Sequence, residues 1–115
     1  MYGLSVRWSL RGADAGVSQQ LRDYVRDQSL ARFTGMPGLA FKTWRTVPGE
    51  WFEGTYVWKT AAARDEFLDT FLKTADTAPG TLMIGSPPEL YERFEVVAIA
   101  EGGAGFAAGV GPGEE

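Results

Sequence analysis

Along the first stretch of the chain, apolar residues fall on every second position. Tyr2, Leu4, Val6, Trp8 and Leu10 share one face, and Ser5, Arg7 and Ser9 share the other. A period of two is that of a half-buried strand, and Gly12 closes it. The period then lengthens. Val17, Leu21, Tyr24, Val25 and Phe33 recur at helical spacing, with Arg22, Asp23, Arg26 and Asp27 mostly on the polar side. Asp14 or Ser18 is placed to cap this helix, and Gly35 and Pro37 to end it.

Alternation returns from Leu39 to Trp58 as two arms around Pro48-Gly49, which predicts a hairpin. With the turn centred on that pair, Lys42 faces Thr55 and Trp44 faces Glu53. One face then carries Ala40, Lys42, Trp44, Thr46, Trp51, Glu53, Thr55 and Val57. The other carries Leu39, Phe41, Thr43, Arg45, Phe52, Gly54, Tyr56 and Trp58. A one-residue change in the loop would carry one arm's set to the opposite face.

A second helix is predicted from Ala61 to about Thr74, capped by Thr60, with Phe67, Leu68, Phe71 and Leu72 on its apolar side. Ala78-Pro79-Gly80 breaks it. Thr81–Ile84 is expected as a short edge strand, Ser86–Tyr91 as a single helical turn, and Phe94–Ala100 as the last strand. From Gly102 onward the glycine-rich composition offers little side chain to bury against its ordering entropy. The expected organisation is a folded domain over residues 1–101 and a disordered tail over residues 102–115.

The order β-α-β-β-α-β is the split βαβ pattern of a ferredoxin-like α+β sandwich, with two helices on one face of a four-stranded antiparallel sheet. On the expected register the other face would expose Trp44, Trp51 and Val57. A second copy is the economical cover for such a face, so a homodimer with the sheets face to face is predicted.

Composition narrows the chemistry. The 115 residues contain no cysteine and no histidine. Disulfides, thiolate nucleophiles, an imidazole base and the usual haem ligand are therefore excluded, and no metal site is expected. Catalysis would fall to Asp, Glu, Lys, Arg, Tyr, water or the substrate's own reactivity. The net charge of −4 argues against nucleic acid as a partner. No apolar run approaches the ~20 residues of a membrane span, and the N-terminus opens directly into a strand. A soluble, cytoplasmic protein without a membrane partner is expected.

The run Met36-Pro37-Gly38-Leu39, with Lys42 and Trp44, followed by Gly54-x-Tyr56-x-Trp58, resembles the YdhR-like family of proposed monooxygenases. These lie in the dimeric α/β-barrel superfamily, together with the antibiotic-biosynthesis monooxygenases. The resemblance implies a ferredoxin-like homodimer and suggests an oxygenase that uses no cofactor. The wider superfamily also holds haem-degrading enzymes, cyclases, dismutases and decarboxylases.

A cofactor-free oxygenase needs a substrate that donates its own electrons, such as an easily deprotonated anthrone or hydroquinone. Aromatic walls would bind such a planar aromatic or polyketide-like molecule. The candidates are Phe41, Trp44, Tyr56, Trp58 and Tyr24. Lys42 or Arg45 could stabilise an enolate or phenolate, and Glu53 could act as base if burial raised its pKa. The same residues have plainer readings. Trp44 suits an interface, Lys42 with Glu53 a cross-strand ion pair, and Tyr56, Trp58 and Tyr24 the core. Arg7 suits an interface ion pair. Two pocket positions stay open: between sheet and helices, lined by Phe41, Arg45, Tyr56 and Trp58 with Tyr24 and Phe67 as further candidates, or inside the inter-subunit barrel, lined by Lys42, Trp44, Trp51 and Glu53. A cyclase or isomerase moving protons without oxygen, and a non-catalytic binding or accessory dimer, are the alternative functions.

Overall fold

Four antiparallel strands form one sheet in the order β2-β3-β1-β4. The computed structural model of the chain describes residues 1–110. The strands are β1 (Tyr2–Ser9), β2 (Leu39–Val47), β3 (Trp51–Trp58) and β4 (Leu90–Glu95). Between β1 and β2 runs a helical segment: α1 (Val17–Tyr24), a π-helical turn over Val25–Ser29, and α2 (Leu30–Phe33). Between β3 and β4 lie α3 (Ala61–Lys73), a 3-10 turn at Ala75–Thr77 and α4 (Pro79–Ile84). This is the ferredoxin-like sandwich. The predicted faces of β1 hold: Leu4, Val6, Trp8 and Leu10 are buried in one core cluster with Leu21, Phe33, Tyr56, Trp58 and Leu68. Thr60 caps α3 as expected, its hydroxyl accepting from the Ala63 amide at 3.1 Å. The first helix is entered differently, with Gly16 at its N-cap and no side-chain cap bond, so neither Asp14 nor Ser18 takes that role.

The hairpin register differs by one residue from the expected one. Arg45 pairs with Glu53, Trp44 with Gly54 and Lys42 with Tyr56. The cause is in the turn. The Glu50 amide bonds the Val47 carbonyl at 2.9 Å, and Gly49 has φ +77°. Proline followed by a positive-φ glycine is the type II arrangement. Such unprimed turns splay the strands, unlike the primed turns that join two-residue hairpins. Glu50 is therefore absorbed into the loop, and Val47 pairs with Trp51. A bulge between Leu39 and Phe41 then keeps Leu39 against the core opposite Trp58. The β3 set stays together as predicted, while Lys42 and Trp44 move to the helix side and Phe41, Thr43 and Arg45 to the open side.

The C-terminal third also departs from expectation. Thr81–Ile84 is helical rather than an edge strand, because Pro79 takes the first helical turn, where its missing amide is no loss. Gly85, at φ +92°, ends α4 in the left-handed conformation. Thr81 is buried, accepting from Trp8 Nε1 at 3.1 Å and donating to the Ala75 carbonyl at 2.7 Å. The stretch expected as a helical turn over Ser86–Tyr91 is a loop entering β4. The last strand sits earlier than Phe94–Ala100. Its partner is β1, and Tyr2 already pairs with Glu95. Past one last bond from the Val96 amide to the Met1 carbonyl, the ladder has no partner strand left, and Val97 is 99% exposed. Residues 102–110 contain no helix or strand and are exposed; residues 111–115 of the expected tail lie outside the described residues.

On the open face of the sheet, Gly3 lies beneath the Phe94 ring. A Cβ there would fall 1.9 Å from Phe94 Cε1, so any larger residue would require the ring to move. Trp51 and Val57 are on this face as expected, but Trp44 is not, and Phe41 and Val47 take its place there. Among the described residues, no helix is long and apolar enough to cross a membrane.

Candidate active site

The one-residue register change points Lys42 and Trp44 toward the helices. Opposite Trp44 the neighbouring strand carries Gly54, whose missing side chain makes room. A Cβ on Gly54 would lie 3.3 Å from Lys42 Cε and 3.4 Å from the Tyr56 hydroxyl. The lysine stem occupies that space, and its amine ends among three rings. Lys42 Nζ is 3.6 Å from the Phe33 ring centroid, 4.3 Å from Tyr56 and 4.5 Å from Trp44. Among the described residues no carboxylate lies within ion-pairing distance of it. Burial, and secondarily the charge of Arg32, push the Lys42 amine well below its ordinary 10.5. The π faces return part of the cost of the ammonium form. Burial also pushes the Tyr56 hydroxyl upward, so that it stays protonated.

Around this amine is a small chamber of about 60 Å³, bounded by Tyr24, Phe33, Trp44, Gly54 and Tyr56. Val25 and Ser29 of the π-helical turn also line it, and such turns recur at functional sites. A larger cleft of about 440 Å³ adjoins it, between the Arg32–Pro37 end of the first helical segment, α3 and Thr77–Pro79. Arg32, Phe67, Phe71, Ala78 and Pro79 border both spaces. A cleft of this size, mostly apolar with a few polar groups, suits a small molecule. Trp58 lines the larger cleft, and its buried Nε1 has no hydrogen-bond partner among the described residues.

The opposite side of the same hairpin holds a different cluster. Glu53 accepts from Arg45 Nε at 2.6 Å, Arg7 Nε at 2.8 Å and the Thr55 hydroxyl at 2.8 Å. Arg7 also lies over the Trp51 ring, 4.0 Å from its centroid, and Arg45 at 5.3 Å. Glu53 is 1% exposed, yet it is covered by these side chains on a sheet surface, not by the protein interior. Burial alone would raise its pKa; the hydrogen bonds from Arg45, Thr55 and Arg7 outweigh that and hold the carboxyl below its ordinary 4.5.

The sequence candidates thus divide. Lys42, Trp44, Tyr56 and Tyr24 come together in the inner chamber, with Trp58 on the adjoining wall. Arg45 and Glu53 are on the other face, in an ion-pair cluster with Arg7, so the expected Lys42–Glu53 pair does not form. The upward shift on which Glu53's role as a base depended is reversed. Phe41 lies beyond the bulge on the open side and lines neither space. Both spaces lie between sheet and helices; Tyr24, Tyr56, Trp58 and Phe67 of the helix-side set line them, and Phe41 and Arg45 do not. Sequence reasoning did not single out Arg32 or Phe33 as site residues. Phe33 was legible only as part of the apolar helix stripe, and nothing in the spacing marked Arg32.

No family model matches the sequence, and no curated protein does. Among solved structures, a protein of unknown function from Nitrosomonas europaea is similar with a TM-score of 0.65 at 21% identity, over 86% of this chain and 91% of that one. This likeness shows the fold. A proposed antibiotic biosynthesis monooxygenase from Chloroflexus aurantiacus aligns over 94% of this chain and 98% of that one, with a TM-score of 0.45 and 17% identity.

Proposed function

We propose that the cleft binds a planar aromatic or polyketide-like molecule with an acidic C–H or O–H, and that the protein oxidises it with molecular oxygen and no bound cofactor. The observation that carries this reading is the Lys42 amine: caged by Phe33, Tyr56 and Trp44, with no carboxylate partner among the described residues, beside a cleft large enough for a ring system. Flat rings match aromatic walls. In its neutral form, which burial favours, the amine takes the substrate's proton, and the resulting ammonium balances the enolate or phenolate charge at low dielectric. The anion is the reductant. For a ring methylene the balance is CH₂ plus O₂ to C=O plus H₂O, with four electrons passing from carbon to oxygen. Tyr56, kept protonated, is a donor available to the developing anion.

The test is conversion of a panel of anthrones and hydroquinones, followed by absorbance in air and under argon. Turnover in air alone is expected. Lys42→Met should lower it by about 10²–10⁴-fold, the usual worth of a positioned base. Turnover in both atmospheres would replace oxidation by the cyclase or isomerase reading, for which the same amine serves as proton carrier. Turnover unchanged in Lys42→Met would remove Lys42 from either. The proposal includes a homodimer through the open face, where Trp51 and the half-exposed Phe41 and Val47 offer apolar contact. A monomeric mass at micromolar concentration would remove that part.

A further inference from the structure

The chamber suits a second kind of chemistry. Lys42 is one of three lysines; Lys59 and Lys73 are exposed. An exposed lysine is almost wholly ammonium at neutral pH and therefore a poor nucleophile, whereas a desolvated lysine beside another cation is the recurring arrangement for amine attack on carbonyl carbon. Lys42 has both features. Its amine is enclosed by rings, and the neighbouring cation is Arg32, whose Cζ is 4.8 Å from the centroid of the same Phe33 ring that Lys42 Nζ approaches at 3.6 Å.

Arg32 adds the second observation. It borders both the inner chamber and the outer cleft, and among the described residues it forms no ion pair. Among the described residues, the only acidic side chain lining either space is Glu66, on the wall of the outer cleft alone. A guanidinium at the junction offers a planar fork to a carboxylate. Lys42 lines the same inner chamber that Arg32 borders.

We propose that Lys42 forms an imine with a small oxo acid whose carboxylate is held by Arg32. The nitrogen lone pair adds to the carbonyl carbon, forming C–N while the C=O π pair passes to oxygen. The carbinolamine then loses water, which carries away the carbonyl oxygen and the two amine hydrogens, leaving C=N. No oxidant is needed. The inference shares the placement of Lys42 with the oxygenase reading and is independent of oxygen, so each can fail alone.

The experiment is reductive trapping under argon at neutral pH. The full chain is treated with pyruvate or acetoacetate and sodium cyanoborohydride, and adducts are mapped by peptide mass spectrometry. Hydride from the borohydride converts C=N to a stable secondary amine. Lys42 should label at least about tenfold faster than Lys59 and Lys73, which serve as internal controls in the unmutated protein. Arg32→Gln should slow labelling by acetone, which has no carboxylate, only through the lost neighbouring charge, and should slow labelling by pyruvate about tenfold or more beyond that, the loss expected for a charge-assisted bond. Labelling spread evenly over the three lysines overturns the imine. Lys42-selective labelling whose pyruvate-to-acetone rate ratio is unchanged by Arg32→Gln overturns the oxo-acid assignment.

Discussion

Lys42 and Arg45 are basic side chains three residues apart on one strand, and the molecule treats them in opposite ways. On the open face Arg45 meets a carboxylate, which also receives Arg7 and Thr55. On the helix face Lys42 meets only rings. A charge placed on a sheet for structural reasons is paired, because an unpaired one is costly to bury. The unpaired amine is therefore the position where the fold accepts a cost, and perturbed groups of this kind concentrate where chemistry is done. The contrast teaches which half of the hairpin holds the sheet together and which half can react.

The sharpest way to break the contrast is to remove the anion from the paired side. Glu53→Gln leaves two guanidinium groups facing one another. It should destabilise the fold by about 2–3 kcal/mol, less than the 3–5 kcal/mol of a fully buried pair. The discount reflects solvent screening, since the side chains of Arg45 and Arg7 are 57% and 26% exposed. Urea denaturation would measure it. The Glu53 carboxyl lies below its unfolded value of 4.5, so its stabilisation is complete above that pH and is lost as pH falls from there through the folded value. Wild-type protein should therefore lose stability more steeply than Glu53→Gln as the solution is acidified below 4.5.

On the unpaired side the sign reverses. Lys42→Met should stabilise the protein at neutral pH by about 1–3 kcal/mol, because it removes a desolvated polar group and fills the same space. The Lys42 amine is depressed in the folded state, so between its folded value and 10.5 the unfolded chain binds the additional proton. Wild-type stability relative to Lys42→Met should then rise with pH toward 10.5 and level off above it. Melting temperatures across that range decide this. A variant both more stable and catalytically dead is the combined signature of a site maintained for reactivity.

The smallest effect belongs to the residue between the two sides. Gly54→Ala should change stability by less than about 1 kcal/mol, since the backbone entropy gained offsets crowding of the flexible lysine end. It should nevertheless weaken ligand quenching of tryptophan fluorescence, because the methyl group enters the space 3.3 Å from Lys42 Cε.

How much of this could be read from residues alone follows from where the information lies. The faces of β1, the span of α3 and the element order are local periodicity, and they stand. The contents of the site depended on one turn. Reading Pro48-Gly49 as a two-residue hairpin loop placed Glu53 beside Lys42 and Arg45 among the aromatics. The type II preference of Pro-Gly, written in the same two residues, would have moved the β2 arm to the opposite face. Thr81–Ile84 was similarly misread because Pro79 breaks a helix from inside yet starts one at its first turn. The site residue Arg32 left no local signal at all. Its position comes from how the first helical segment lies across the sheet, a tertiary fact with no period.

The π-helical turn at Val25–Ser29 adds a local contribution to the same site. A turn of this kind contains one residue more than an α-helical turn. Deleting a single residue there would restore a regular α-helix and keep Leu30–Phe33 close to their present phase, because a π turn spreads its extra residue over about the same rotation. Phe33 would stay at the amine and Arg32 at the cleft. What would change is the local bulge at Val25 and Ser29, which line the chamber, so the extra residue shapes one wall of the pocket without re-phasing the rest.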